Sequence, residues 1–267
     1  MPELPEVETI RRQLAPVLRR RTIIDAWTFG TKKFADATLA TGAKIERVER
    51  RGKYLLIELD GDRHLVIHLG MTGVLRVGTG SPELDPYLRA AWTLDDSTVV
   101  EFQDVRRFGR IAVLPRHDHR ALPTLHALGP EPLSDEFDPV AFHRSLLSSS
   151  RAIKTHLLSQ RPVAGVGNIY ADEALWRARV NPAARTISKP KAFALRDAIR
   201  AVLAESIERN GTTLRDYRTF AGASGENQHA LQVYGRAGEP CVRCGVELRA
   251  RTLDARTTTW CPRCQPR

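Results

Sequence analysis

Apolar residues recur at helical spacing near the start of the chain. These positions, three or four residues apart, are Leu4, Val7, Ile10 and Leu14. Charged side chains lie between them, so the pattern predicts an amphipathic helix over 3–15. Pro16 lacks a backbone N–H and is expected to end or kink this helix. A helix here would hold residues 2 and 3 against the body of the protein.

Short segments rich in aliphatic and β-branched residues follow over residues 22–114. They are KYLLIELD (53–60), HLVIHLGM (64–71), RAAWTLDD (89–96), STVVEFQD (97–104) and RIAVLP (110–115). Turn-forming residues separate them, and no helical pattern intervenes. Consecutive strands of this kind predict an antiparallel sandwich or barrel.

Proline-rich sequence between 115 and 135 marks a change to helical periodicity. One predicted helix ends with 152–160, a second begins at Ile169 and a third lies near 190–209, with Gly211 as its stop signal. The small polar stretch AGASGENQH (221–229) predicts a mobile loop. We therefore divide the chain into domains at 1–128, 129–228 and 229–267.

The overall composition indicates a globular protein with an anionic partner. Of the 267 residues, 42% are hydrophobic and 27% are charged, and the formal net charge is +10. An excess of cations on this scale is typical of proteins that bind nucleic acid; a merely basic, well-solvated surface is the alternative. The absence of a membrane-length apolar run or a signal-peptide pattern predicts a cytoplasmic location.

All four cysteines lie near the end of the sequence, in two CxxC pairs. Their spacing, with Cys241 and Cys244 followed by Cys261 and Cys264, matches a four-cysteine zinc site. Disulfides or free thiols are the alternative, but disulfides are rare in a cytoplasmic protein. The segment between the pairs alternates like two strands, so we predict a hairpin held by one structural zinc ion.

The first three residues, Met1-Pro2-Glu3, combine an amine and a carboxylate. Proline after the initiator methionine favours removal of Met1, which would leave Pro2 with a free secondary amine. Such an amine can attack a masked aldehyde, and Glu3 beside it can move protons. By itself, the same stretch also fits an ordinary helix start with acidic residues at the positive end of the dipole.

Several further residues lie in turns that suit contact with nucleic acid. Asn168 follows Gly165 and Gly167, and we expect it to cap the next helix, whose N–H groups could bind phosphate. Met71 lies in a glycine turn, where it could fill a gap in a base stack; a buried core methionine is the alternative. Arg106-Arg107-Phe108 places an aromatic ring beside two cations on another turn.

Taken together, these stretches resemble the bacterial formamidopyrimidine-DNA glycosylase family over essentially the full chain. The motifs are PELPEVET (2–9), RGKYLLIEL (51–59), HLGMTG (68–73), RRFGR (106–110), LGPEPLS (128–134), AGVGNIYADEAL (164–175), GTTL (211–214) and LQVYGRAGEPC (231–241), together with the cysteine pairs. The related endonuclease VIII group, which handles oxidised pyrimidines, usually opens PEG, whereas this chain reads PEL. Two departures are Val105, where the family commonly has Pro, and a loop at 221–229 without the aromatic residue of some relatives.

The resemblance implies an α+β multidomain fold. It consists of an N-terminal antiparallel β-sandwich opened by a catalytic helix, a helix–two-turn–helix domain and a C-terminal four-cysteine zinc-finger β-hairpin. The implied partner is damaged double-stranded DNA. The protein would be a monomer that binds neither a membrane nor an organic cofactor. The implied function is a repair glycosylase with lyase activity on oxidised purines. The alternatives are the same chemistry on oxidised pyrimidines and a non-catalytic DNA-binding protein.

The resemblance also implies roles for individual residues. Pro2 would be the nucleophile and Glu3 the proton shuttle, with Glu6 as a supporting carboxylate. Four residues would contact phosphates. Lys53 and Arg256 would do so in the catalytic site, and His68 and Asn168 would do so outside it. Residues that would fill the void left by the flipped base are Met71, Arg106 and Phe108. Lys154 and Tyr170 are also assigned to DNA binding.

Overall fold

The computed structural model describes residues 1–81 and 83–267, which form two compact units. The first unit contains Met1–His126 and Arg209–Gln228, and the second contains Ala127–Glu208 and His229–Arg267. The division into domains at 1–128, 129–228 and 229–267 stays a prediction. The structure adds that residues 209–228 pack with the N-terminal part of the chain.

The first helix, α1, spans Leu4–Leu18 and is longer than predicted. Pro16 lies inside its last turn and does not end it. Proline removes only one backbone donor, and the buried side chains of Leu14 and Leu18 hold the turn against the core. The C-cap N–H of Arg19 still donates to the Ala15 carbonyl at 3.0 Å.

Two four-stranded antiparallel sheets follow α1 in the first unit. One has the order β1-β6-β7-β5 and the other β2-β3-β4-β8. The strands are β1 Ile23–Thr28, β2 Ile45–Arg51, β3 Tyr54–Leu59, β4 Arg63–His68, β5 Gly73–Val77, β6 Leu88–Leu94, β7 Val99–Asp104 and β8 Arg110–Pro115. A 3-10 helix spans Ala35–Ala40. The sequence pattern had not singled out β1, β2 or β5.

One hydrophobic core fills this unit. It takes apolar side chains from α1 and from both sheets. The side chains of Tyr217 and Phe220, from the segment 209–228, belong to the same core. This burial explains why the segment packs with α1 although it is distant in sequence.

The second unit is helical and ends in a two-stranded hairpin. Its helices are α3 Pro139–Leu147, α4 Ile153–Leu158, α5 Asn168–Arg177 and α6 Lys189–Glu208; the short α2, Pro123–His126, lies in the first unit. The hairpin strands are β9 Arg249–Leu253 and β10 Arg256–Trp260, and a 3-10 turn spans Asn227–Ala230. Within residues 1–81 and 83–267, none of the helices has the length and apolar character to cross a bilayer. The predicted α+β class, with sandwich, helical domain and zinc hairpin, is confirmed.

Candidate functional site

The start of α1 places Pro2, Glu3 and Glu6 together in a buried position. Glu3 is the N-cap, and its carboxylate accepts a hydrogen bond from the Glu6 backbone N–H. In return, the Glu6 carboxylate accepts from the Glu3 N–H at 2.8 Å. Pro2 is buried, whereas Met1 is 48% exposed. This reciprocal capping box fixes Glu3, the residue between α1 and the predicted nucleophile Pro2.

The second oxygen of Glu6 reaches the GTTL motif (211–214), to which the sequence assigned no role in this site. It accepts from the Thr212 N–H at 2.7 Å. The neighbouring Gly211 has a φ of +80°, and a Cβ built there would stand 2.8 Å from Glu6 Oε1. The buried Tyr217 hydroxyl donates to the Asn210 carbonyl at 3.0 Å; burial, with the charge of Glu6 as a lesser cause, raises the pKa of Tyr217.

Lys53 and His68 lie at the same end of one sheet. Lys53 is buried in the Gly52-Lys53 turn, one residue before β3, and does not begin that strand as predicted. His68 ends β4, and its ring packs against Tyr54 with centroids 4.6 Å apart. Burial and then the Lys53 ammonium lower the pKa of His68 to about 4.

Hydrogen bonding identifies the tautomer of His68. The Gly70 N–H donates to its Nδ1 at 3.1 Å, so Nδ1 carries no proton. A neutral ring therefore has its proton on Nε2, and that N–H is the group available to an anion. The ring thus offers a phosphate a neutral donor rather than a positive charge.

Met71 and the segment Arg106–Phe108 lie on two loops that touch along their backbones. A Cβ on Gly70 would lie 2.4 Å from the Gly109 nitrogen, so only glycine permits this approach. The structure thus brings together the residues predicted to fill the void beside a flipped base. Met71 is half-buried, whereas Phe108 is 49% exposed and Arg106 stacks 4.7 Å from its ring centre.

Asp104 and Thr72 hold these loops together, a role that the sequence did not predict for either residue. The Thr72 hydroxyl donates to Asp104 Oδ1 at 2.6 Å and accepts from the Arg106 N–H at 3.1 Å. Asp104 Oδ2 accepts from the Gly109 N–H at 2.6 Å. This clamp restrains the loop that carries Val105, where the family commonly has Pro.

In the second unit, the Asn168 side chain contacts the residue that follows Arg256. Asn168 is not the cap of α5, as predicted, but its first residue; Gly167 is the N-cap. The Asn168 side chain instead donates to the Thr257 carbonyl at 3.1 Å. Arg256 precedes Thr257 and is exposed at the end of the hairpin. Asn168 is thus tied to the strand that carries Arg256.

Lys154 supports the same carbonyl from inside the unit. Its side chain is fully buried, and its ammonium donates to the Thr257 carbonyl at 3.1 Å and the Thr258 hydroxyl at 2.9 Å. Asp172 Oδ1 is 2.7 Å from the same nitrogen. Burial raises the pKa of Asp172 to about 6, although Lys154 acts against the shift. The burial of Lys154 favours a supporting role over the direct DNA contact that we predicted.

Tyr170 and Glu173 also act within the second unit. Tyr170 is 1% exposed, and its hydroxyl lies 2.5 Å from Ser206 Oγ, so it offers no open surface for the predicted DNA contact. The Glu173 carboxylate accepts hydrogen bonds from the backbone N–H groups of residues 232–234, at 2.8–3.1 Å. No local pattern marks Glu173, because its partners lie far along the chain.

The four cysteines converge in the second unit. Their sulfur atoms all lie within 4.8 Å of one another, with Cys241 to Cys264 at 4.0 Å and Cys244 to Cys261 at 3.5 Å. A tetrahedral zinc ion with Zn–S bonds of about 2.3 Å requires sulfurs about 3.8 Å apart. The donor set therefore fits a closed structural zinc site.

Trp176 joins this zinc-finger segment to α5. Its indole N–H donates to Cys241 Sγ at 3.4 Å, and Arg243 stacks 4.0 Å above its ring. Burial raises the pKa of the Cys241 thiol, but the indole and backbone N–H donors more than offset it and lower the pKa to about 6. A thiolate at this position suits zinc.

Three protein-family domains match successive parts of the chain. The formamidopyrimidine-DNA glycosylase N-terminal domain matches residues 1–111, and the H2TH domain of the same enzymes matches 128–218. The zinc finger found in FPG and IleRS matches 238–267. This chain belongs to the formamidopyrimidine-DNA glycosylase family. The family membership predicted from the motifs is confirmed.

Individual members of this glycosylase family align along the whole chain. The formamidopyrimidine-DNA glycosylase of Deinococcus radiodurans is 42% identical, over 100% of this chain and 98% of its own length. The crystal structure of the MutM (FPG) protein from Thermus thermophilus has a TM-score of 0.92 and 46% identity, covering 99% of this chain and 98% of that one. A Lactococcus lactis FPG mutant in complex with a Fapy-dG containing DNA has a TM-score of 0.90 and 34% identity, covering 100% of both chains.

Proposed function

We propose that this protein is a base-excision repair DNA glycosylase with AP lyase activity. It removes oxidised purines, namely 8-oxoguanine and formamidopyrimidines, from duplex DNA. The observation that carries the proposal is the buried start of α1, where Pro2 precedes the capping box of Glu3 and Glu6. The Fapy-dG DNA bound by the Lactococcus lactis relative supports the substrate class.

In the first step, the secondary amine of Pro2 attacks C1′ of the damaged nucleotide. This requires that Met1 has been removed, because an amide nitrogen is not a nucleophile. The N–C1′ bond forms as the bond from C1′ to the base breaks, and the base leaves with a proton. Glu3, at the side of Pro2, is the carboxyl group that moves protons in this step. The C1′–O4′ bond then breaks as O4′ takes a proton, and the product is a Schiff base between Pro2 and the opened sugar.

In the second step, the positively charged iminium makes the C2′ proton acidic. Loss of that proton expels the phosphate at C3′ by β-elimination, and loss of the C4′ proton then expels the phosphate at C5′ by δ-elimination. Each elimination needs a base that removes a proton from the opened sugar, and Glu3, next to Pro2, is that base. Glu6 holds the Glu3 backbone and so fixes the direction of its side chain.

DNA positioning is assigned to both units, each through its own residues. In the first unit, Lys53 supplies a charge and His68 supplies a neutral Nε2–H to the phosphates, because the Nδ1 atom of His68 is already an acceptor. In the second unit, Asn168 and Arg256 hold a further phosphate. A base can react only outside the stack, and the exposed Phe108 is suited to enter the gap that it leaves.

Borohydride trapping tests the enzymatic proposal. Reduction of the Schiff base should give a covalent complex between the protein and abasic duplex DNA. A Pro2→Gly/Glu3→Gln double variant should bind the same DNA but give no trapped complex. Absence of trapping by the parent protein, or equal trapping by the variant, would favour a non-catalytic DNA-binding protein instead.

Two further measurements refine the proposal. Excision from 8-oxoguanine:C duplexes should be faster than from thymine-glycol duplexes; the reverse order would favour the oxidised-pyrimidine alternative. Mass spectrometry of the purified protein should show a chain that starts at Pro2. Intact Met1 in every molecule would contradict the mechanism. A monomeric state and a cytoplasmic, nucleoid-associated location stay predictions.

A further inference from the structure

A cationic recess lies in the second unit, apart from the residues assigned above. It has a volume of about 920 Å³ and is bounded by the loop after α5, the start of α6, strand β9 and residues 266–267. Its charged lining side chains include Arg185, Lys191 and Arg251. None of the described lining residues is an aspartate or a glutamate. The side chains that line the recess therefore do not neutralise its positive charge.

The cations of this recess have no ion-pair partner in the described part of the chain. Across residues 1–81 and 83–267, no carboxylate lies within salt-bridge distance of Arg185, Lys191 or Arg251. The Nε of Arg251 is buried and has no hydrogen-bond partner among the described residues. A buried guanidinium N–H without an acceptor is costly in free energy. An oxyanion can accept the parallel N–H hydrogen bonds that a guanidinium donates.

The walls of the recess are held in place by hydrogen bonds. The Ile153 N–H donates to the Ala184 carbonyl at 2.7 Å, which ties the loop after α5 to α4. The Asn181 side chain donates to the Gln265 carbonyl at 2.8 Å, which ties the same loop to the segment after the last cysteine. A site that is already formed binds with little ordering cost.

The recess also adjoins the strand that carries Arg256. Leu253 lies opposite Arg256 across the hairpin, and Arg251 lies opposite Thr258. Arg251 is therefore only two residues along its strand from the partner of Arg256. A nucleic-acid strand held at Arg256 would have neighbouring phosphates close to the recess.

We propose that this recess is an additional phosphate site for nucleic acid, which takes either a phosphodiester within a strand or the terminal phosphate of a strand. None of its lining residues is assigned to the proposed chemistry, and the proposal rests on the proposed DNA-binding function. Its arginines and lysine would contribute to DNA affinity and to the dependence of that affinity on salt, but not to the chemical steps.

The test compares two variants that each remove three positive charges from the full chain. The first is Arg185→Gln/Lys191→Gln/Arg251→Gln, in the recess. The second is Arg63→Gln/Arg120→Gln/Arg144→Gln, whose positions lie outside it. DNA affinity is measured as a function of salt concentration by fluorescence anisotropy, on long duplexes whose ends carry either a hydroxyl or a phosphate group.

The recess variant should have a shallower salt dependence than both the parent and the control variant. Each lost phosphate contact reduces the slope of log K against log salt by about 0.9, so a decrease of about 1 to 3 is expected. A decrease on both duplexes assigns a phosphodiester, and a decrease only on the phosphorylated duplex assigns a terminal phosphate. Equal slopes for the two variants would overturn the proposal.

Borohydride trapping at saturating abasic DNA separates this proposal from the proposed function. The recess variant should give the same yield of trapped complex as the parent, because its substitutions leave Pro2 and Glu3 intact. If the parent itself gives no trapped complex, the enzymatic function fails, while the salt slopes still decide whether the recess binds nucleic acid. Binding of inorganic pyrophosphate without any change in the DNA slopes would also overturn the nucleic-acid assignment.

Discussion

The Glu6 carboxylate accepts a hydrogen bond from the Thr212 N–H at 2.7 Å, although the two residues are 206 positions apart. Its other oxygen accepts from the Glu3 N–H at 2.8 Å. One buried carboxylate therefore fixes both the proposed catalytic residue and the segment 209–228. We expect a disturbance of that segment to reach Glu3 through Glu6.

Gly211→Ala should reduce both stability and Schiff-base formation. The φ of +80° is unfavourable for alanine, and the added Cβ would stand 2.8 Å from Glu6 Oε1. We expect the free energy of unfolding to fall by about 1–3 kcal/mol, measured by chemical denaturation. The yield of borohydride-trapped complex should also fall, because Glu6 can no longer hold both N–H groups.

Gly222→Ala is the matched control for this substitution. Gly222 has a φ of +83°, but no atom lies within 4 Å of a Cβ built there. It should therefore lose stability through its backbone conformation alone and keep its trapping yield. Equal losses of trapping in both variants would show that the Glu6 contact is not the cause.

Asp104→Asn should loosen the loop that carries Arg106 and Phe108. The buried Asp104 carboxylate accepts from both the Thr72 hydroxyl and the Gly109 N–H, and an amide offers only one acceptor oxygen. We expect a loss of about 1–3 kcal/mol in unfolding free energy and slower excision of a paired lesion. Val105→Ala, at an exposed position, should change neither quantity; a comparable effect there would contradict the clamp.

These relationships show what the sequence could and could not predict. The helix at Leu4–Leu18 and the zinc cysteines were predictable because periodicity and spacing are local signals. The pairs Glu6–Thr212 and Thr72–Asp104 were not, because each joins residues that are distant in the chain and common on protein surfaces. The burial of individual polar side chains could not be predicted from the sequence either.

Lys154 and Asn168 illustrate the same limit for individual roles. Nothing in the local sequence distinguishes a buried lysine from a solvated one, so the fully buried position of Lys154 emerges only from the structure. Asn168 has the residue type and position of a helix cap, but Gly167 takes that place. The side chain of Asn168 is then available to Thr257, a partner from the other end of the chain.

His68 should make stability depend on pH between about 4 and 6.5. Burial and the nearby Lys53 lower its pKa to about 4, from 6.5 in an unfolded chain. The folded protein therefore binds fewer protons in this range, and the stabilisation is present above pH 6.5 and is lost as the pH falls toward 4. The loss amounts to on the order of 3 kcal/mol in the free energy of unfolding.

Urea denaturation over this pH range, on the parent and on His68→Asn, measures the effect. The asparagine retains an acceptor for the Gly70 N–H but does not titrate, so its stability should vary less with pH. His117→Asn, at an exposed histidine, should follow the parent. A parallel pH profile for His68→Asn and the parent would refute the contribution of His68.

Cys244→Ser should release zinc and disorder the end of the second unit. A hydroxyl is a poor replacement for a thiolate, and the other three sulfurs cannot complete a tetrahedral site. Zinc content per chain, measured with a metallochromic dye, should fall, and the total tryptophan fluorescence should change because the Trp176 indole contacts Cys241. Val242→Ala, exposed between two ligands, should retain one zinc ion and the parent fluorescence.

Substitutions of the buried pair Lys154–Asp172 should affect stability and DNA affinity differently. Asp172→Asn leaves a buried ammonium without its counter-charge 2.7 Å away, and we expect a loss of about 3–5 kcal/mol in unfolding free energy. A Lys154→Met/Asp172→Leu double variant removes both charges and should recover part of that loss, because the buried Thr259 N–H still lacks its acceptor. It also removes the Lys154 donor to the Thr257 carbonyl and the Thr258 hydroxyl, and the Asp172 acceptor of the Thr259 N–H, so the strand that carries Arg256 keeps the Asn168 support but loses these three. The double variant should therefore be more stable than Asp172→Asn but bind abasic DNA more weakly than the parent, as measured by fluorescence anisotropy. If affinity recovered together with stability, Lys154 would have no positioning role, and Asn168 alone would be sufficient to hold the hairpin.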